Sequence, residues 1–194
     1  MSEMNERYTS VAVILHWVIA LLILGQIAGG LFMVKLGDNA LSLKFQIYQW
    51  HKSFGILILT LSLLRLAWRL FHRPPALPGN MSGFEKFAAR STHVGFYFLM
   101  IGMPLLGWAV VSASPYAASV PTYLFGVIPW PHLSIFEGFA DRQALTDRLA
   151  GLHEFFAFAI LGLFALHVGA ALKHHFIIKD GVLTRMVPFI TRRK

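Results

Sequence analysis

Four runs of mainly apolar residues, at roughly 11–34, 46–70, 93–113 and 145–172, constrain this chain more than any other feature. Each is long enough to cross the hydrocarbon core of a bilayer as a helix, which takes about 20 residues. In that medium every backbone N–H and C=O must find its partner within the segment, so such runs become helices. The expected fold is all-α: an integral membrane four-helix bundle, with one domain over residues 1–194. Composition agrees, since 56% of the residues are hydrophobic and 13% charged, against about half and a quarter in soluble domains.

The connections differ in kind. That around Gly37 to Lys44 is short, and that around Phe71 to Thr92 carries the helix breakers Pro74, Pro75, Pro78 and Gly79. The longest, Ser114 to Thr146, sets Pro115, Pro121, Pro129 and Pro131 among Tyr116, Tyr123 and Trp130. Rings of this type favour the membrane interface, so this segment is expected to lie there as a lid. The start, Met1 to Ser10, mixes Glu3, Glu6 and Arg7 and has no positive n-region or small-residue cleavage site. The first apolar run is therefore expected to stay in the mature protein.

An even number of spans places both termini on one side. Arg7, Arg65, Arg69, Arg73, Lys86, Arg90, Lys173, Lys179, Arg185, Arg192, Arg193 and Lys194 fall toward that side, and only Lys35, Lys44, Lys52, Arg142 and Arg148 toward the other. The acids Asp38, Glu137, Asp141, Asp147 and Glu154 also fall on the far side. Positive residues are retained inside, so the termini are expected to be cytoplasmic. The net charge of +8 then reflects topology, and nucleic acid is not an expected partner. The chain has no cysteine, which excludes disulfides, thiolate metal sites, iron–sulfur clusters and covalent haem attachment.

Coordinating side chains inside a span are costly, so intramembrane histidines mark function. His16 lies in the first run near the termini, His51 in the second near the opposite side, and His153 and His167 both in the fourth. The last two are 14 residues apart, which at ~100° and ~1.5 Å per residue returns them to one helix face ~21 Å apart. Depth then pairs His16 with His167 and His51 with His153. Two ligands at each of two levels suit an iron whose equatorial positions a porphyrin fills, whereas zinc gathers three or four protein ligands at one depth. Small residues a turn away, Ala12, Ala20, Gly55, Ala157 and Ala170 or Ala171, would leave room for a flat ring, although they also permit close helix packing. With both axial positions taken, electron transfer is the natural role.

These residues resemble the bacterial cytochrome b561 family of small inner-membrane di-haem cytochromes over nearly the whole chain. The resemblance is carried by Arg7-Tyr8-Thr9-Ser10 leading to His16-Trp17 and by His51-Lys52-Ser53-Phe54-Gly55 with Arg65 and Arg69 following. It continues in Pro104-Leu105-Leu106-Gly107, in His153-Glu154 through His167 to Lys173-His174-His175, and in the tail Lys179-Asp180-Gly181-Val182-Leu183-Thr184-Arg185-Met186. It implies two non-covalent haem b groups ligated by His16, His51, His153 and His167. It also implies a quinone such as ubiquinone as electron partner, and a periplasmic redox partner as small as superoxide. A quinone-linked superoxide oxidase is thus one expected activity.

Other residues carry weaker expectations. His93 would meet a haem propionate or a quinone carbonyl, or sit solvated at a helix end. His174 and His175 would form part of a quinone site, or act as interfacial anchors. Arg65, 14 residues after His51, would pair with a propionate or snorkel; Lys52 is similar at the outer level. His72 and His132 read as loop histidines. Gly25 and Gly29 form a G-x-x-x-G pattern open to helix packing or a dimer. Two further readings stand beside the leading one: an anchor subunit of a larger hydrogenase or dehydrogenase complex, and a proton or metal transporter. The second lacks an inverted repeat or broken-helix signal.

Overall fold

A computed structural model describes residues 7–187. Met1 to Glu6, and Arg192, Arg193 and Lys194 of the charge argument, lie outside the described residues. Four long helices follow in order: α1 Ser10–Lys35, α2 Leu41–Phe71, α3 Gly83–Ala113 and α4 Arg142–Lys173. All four are long and apolar enough to cross a membrane. Their apolar side chains face largely outward, as with Leu21, Leu64, Phe98 and Leu166, which suits a helix surface solvated by lipid.

Each helix begins and ends for a local reason. The Thr9 hydroxyl caps α1 by accepting from Ala12 N at 3.3 Å, and it also accepts from Trp68 Nε1 at 2.9 Å, tying the start of α1 to the end of α2. Asp141 caps α4 through Ala144 N at 2.9 Å. The next residue, Arg142, donates to Ser112 O at 2.8 Å and Ala113 O at 3.1 Å, covering carbonyls that the end of α3 leaves open. Past Lys173, α4 widens into a π turn, His174–Ile178.

α3 departs from the sequence expectation. It begins at Gly83, not near residue 93. Ser82 and Glu85 form a reciprocal capping box, and the polar first turns bearing Lys86 and Arg90 are helical although not apolar. The hydropathy of the span marks where lipid begins, and the cap marks where the helix begins. His93 consequently lies within α3 and not at its start. α2 and α4 likewise begin a few residues ahead of their apolar runs, at Leu41 and Arg142.

α1 packs on α2, α2 on α3 and α3 on α4, while α1 and α4 do not form a closely packed pair. The long connection between α3 and α4 holds an antiparallel hairpin, β1 Thr122–Leu124 and β2 Ile128–Trp130, turning at Phe125 (φ 52°) and Gly126 (φ 74°). Two buried serines pin this segment to the helices in the same way. Ser53 Oγ donates back to Gln49 O and accepts from Phe125 N at 2.9 Å; Ser112 Oγ donates to Trp108 O and accepts from Leu133 N at 3.0 Å. Gln49 and Trp108 add bonds to Pro121 O and Pro131 O. The hairpin thus closes one end of the bundle, opposite the start of α1 and the end of α4.

Candidate functional site

The four intramembrane histidines come from three helices and meet in two pairs. The ring centroids of His16 on α1 and His167 on α4 are 6.1 Å apart, with ring planes at 63°. Those of His51 on α2 and His153 on α4 are 6.2 Å apart, with planes at 66°. The first pair lies toward the start of α1 and the end of α4, the second toward the hairpin. Among the described residues, no three His, Asp or Glu side chains converge as a bare metal site requires.

Several observations test whether a ligated macrocycle suits these pairs. A bond from a metal to an imidazole nitrogen is about 2 Å, so two such bonds in line, with the ring radii added, separate the centroids by about 6 Å. Both pairs have that spacing. His51 Nδ1 and His153 Nδ1 are buried without a well-formed hydrogen bond, although the Met103 backbone lies beside the latter. Buried ring nitrogens in this state are expensive unless chemistry engages the ring. A mainly apolar cavity of 620 Å³ adjoins the His51–His153 pair and is lined by Gln26, Gly30, Gly55, Gly107 and Ala157 beside the two rings. Pockets of this size and character hold flat apolar cofactors. The residues present fit haem b.

Glycines make the room at the His51–His153 pair. A Cβ at Gly30 would stand 3.5 Å from His51 Cε1, and one at Gly107 would stand 3.1 Å from His153 Cε1. Neither role was evident in sequence, although Gly107 belongs to the Pro104-Leu105-Leu106-Gly107 motif, because each glycine serves a ring on another helix. Gly55, expected beside a ring plane, lines that cavity, and a Cβ there would stand 3.7 Å from Gln26 Nε2, which donates to His51 O at 2.7 Å. Gln26 was also overlooked, although an amide within an apolar run is a detectable signal. A Cβ at Gly25 or Gly29 would meet nothing within 4 Å.

The His16–His167 level is more crowded. His93 lies edge-on to His167 with centroids 5.7 Å apart, and Phe96 lies edge-on at 5.5 Å. Arg65 Nη1 donates to Ala12 O at 3.4 Å, one turn from His16, within electrostatic reach of His16, His93 and His167. It has no carboxylate partner among the described residues. Arg69 lies over the Tyr97 ring, 5.8 Å from its centroid.

The remaining histidines divide by environment. His174 is buried, and its Nδ1 is taken by Asp180 Oδ2 at 2.6 Å. His72 stacks on Trp68 at the surface, and His175 packs edge-on against Phe176. His132 joins a chain: Lys52 Nζ donates to Thr122 Oγ1 at 3.0 Å, and Thr122 Oγ1 lies 3.2 Å from His132 Nε2. Burial, followed by the Lys52 charge, holds His132 below its ordinary 6.5, against an opposing hydrogen bond to the Ala117 backbone.

Residues 7–189 match the family described as prokaryotic cytochrome b561. The chain is 32% identical over 182 residues to cytochrome b561 homolog 2 of Escherichia coli (strain K12), covering 94% of this chain and 92% of that protein. It is 29% identical over 185 residues to a Yersinia pestis protein named probable superoxide oxidase CybB, covering 95% and 98%. A third relative, cytochrome b561 homolog 1 of Escherichia coli (strain K12), is 27% identical over 190 residues, covering 97% and 99%.

Proposed function

Because the chain belongs to the prokaryotic cytochrome b561 family, and is thereby a membrane-embedded electron-transfer protein of haem b character, we propose that it passes electrons between a redox partner at its hairpin end and the membrane quinone pool. The observation that carries the reading is the pair of histidine couples, 6.1 and 6.2 Å between centroids, both anchored on α4. His16 and His167 would hold one haem and His51 and His153 the other; when bound, haem supplies one-electron oxidation and reduction.

The chain's own residues set the conditions. Gln26 holds the α2 backbone at His51 through the His51 carbonyl, while Gly30 and Gly107 leave the rings of His51 and His153 unobstructed. Arg65, which has no acid partner among the described residues, would hold a haem carboxylate at the inner level. His93 orients the inner site by packing against His167. His174 keeps only Nε2 for a quinone head group, its Nδ1 being committed to Asp180. The excess of arginine and lysine around the termini supports an inner-membrane orientation with both termini cytoplasmic.

The outer redox partner is small, superoxide being the leading choice: the hairpin covers the bundle end close to Lys52, and one relative bears the superoxide oxidase name. The test is spectroscopic. Purified protein is expected to show a Soret band, sharp reduced α and β bands and two haems per chain. Superoxide is expected to reduce them and quinone to reoxidise them. A colourless protein defeats the haem assignment and favours a transporter; haems indifferent to superoxide but reduced by a co-purifying dehydrogenase favour the anchor-subunit reading.

A further inference from the structure

Beyond α4 the π turn His174–Ile178 ends at Lys179 in a left-handed conformation (φ 59°), and the chain folds back through Asp180 and Gly181 to Arg185. The fold-back encloses a polar cavity of 310 Å³ lined by His175, Lys179, Asp180, Thr184 and Arg185. The acid among them is already engaged. Asp180 Oδ2 accepts from His174 Nδ1 at 2.6 Å, and Oδ1 accepts from Val182 N at 3.0 Å. The Thr184 hydroxyl donates to Gly181 O at 3.0 Å.

Arg185 is held in place but incompletely used. Nη1 donates to Ala76 O at 2.6 Å, in the connection between α2 and α3, and Nε is buried with no acceptor among the described residues. The Nε and Nη2 edge is therefore left for a ligand, and that edge matches two oxygens of one anion. Lys179 has no carboxylate partner among the described residues. Fixed donors and a cation around a polar cavity describe a receptor for a phosphate group.

Position favours a lipid as the source. From Arg142 to Ile178 the helical segment runs 37 residues, ~55 Å at ~1.5 Å per residue, against a hydrocarbon core of about 30 Å. Its end therefore reaches the headgroup zone. Phe176 and Ile177, beside the cavity, are 58% and 74% exposed, an apolar flank next to a basic pocket. We infer that this cavity binds the phosphate of an anionic lipid headgroup, with Arg185 and Lys179 as its donors and the acyl chains lying along Phe176 and Ile177. Basic pockets at helix ends recognise lipid headgroups by this chemistry.

The test uses the full-length, haem-loaded protein in detergent, with native mass spectrometry reading retained phosphatidylglycerol against phosphatidylcholine and calorimetry reading inorganic phosphate. Wild type is expected to retain one phosphatidylglycerol in preference to phosphatidylcholine. Arg185→Gln and Lys179→Gln are each expected to weaken this about tenfold. Lys179→Gln guards against misfolding, because Lys179 does not hold the tail to Ala76 as Arg185 does. Binding of inorganic phosphate with the same dependence on both residues, but no lipid selectivity, supports the phosphate site with a free anion as its source. Lipid and phosphate binding indifferent to both substitutions overturns the inference. So does a fall in haem content with lipid and phosphate binding unchanged, which assigns the pocket to the cofactor.

Discussion

Gly107 on α3 lies directly against the His153 ring on α4, so that a methyl group there would stand 3.1 Å from Cε1. Gly30 bears the same relation to His51 at a comfortable 3.5 Å. Gly107→Ala is expected to push His153 off its position, at an overpacking cost of about 1–3 kcal/mol, and to deplete the outer haem. Gly30→Ala is expected to retain both haems. Haem-to-protein ratios of the two variants measure the difference, and equal loss in both would contradict this account of the fit.

His167 has two imidazole neighbours, His16 at 6.1 Å and His93 at 5.7 Å. With His16 as the ligand, His16→Ala removes one haem and leaves the other, while His93→Ala keeps both and only broadens the inner α band. His51→Ala and His153→Ala remove the other haem. Pyridine haemochrome assay on each purified variant is the check. An intact haem complement in His16→Ala alongside a deficit in His93→Ala would exchange their roles.

Arg65 is a positive charge near the inner histidines without an acid to offset it. Such a charge favours the reduced iron, which carries one positive charge fewer. Arg65→Gln is therefore expected to lower the inner potential by tens of millivolts, where about 59 mV corresponds to a tenfold shift in the one-electron equilibrium. Redox titration followed at the α bands separates the two centres. An unchanged potential would leave Arg65 as a snorkelling anchor.

The Lys52–Thr122–His132 chain is expected to make the hairpin acid-sensitive. His132 binds protons less readily in place than when released, chiefly because of burial and then the Lys52 charge, with a lesser contribution from Arg142. As pH falls through its ordinary 6.5, the released state takes up the proton first, and the closed hairpin loses stability until the lower folded value is passed. Amide exchange over Thr122–Leu124 should accelerate below about pH 6.5, and His132→Gln should flatten that dependence. A wild-type exchange profile that ignores pH, after correction for intrinsic chemistry, refutes the mechanism.

The bundle and its histidine pairs could be read from sequence because hydropathy and helical arithmetic are local properties: a 14-residue interval returns to the same face wherever it occurs. The start of α3 could not be read from hydropathy, since Lys86 and Arg90 belong to the helix without belonging to the lipid. The Ser82–Glu85 box was the available signal. The hairpin was hidden by Pro121, Pro129 and Pro131, which argue for a loop; its pairing rests on edge positions where a missing N–H is tolerated. The roles of Gly30, Gly107 and Gln26 depend on which helices become neighbours, and no spacing within one segment reports that.

His153 and His167 are carried by one uninterrupted rod, α4, and that has a mechanical consequence. The interval between the two levels is set by covalent backbone and an internal hydrogen-bond ladder, so it is insensitive to how loosely the other helices sit. Sliding or twisting α4 displaces both couples together, whereas a disturbance of α1 or α2 detunes one and spares the other.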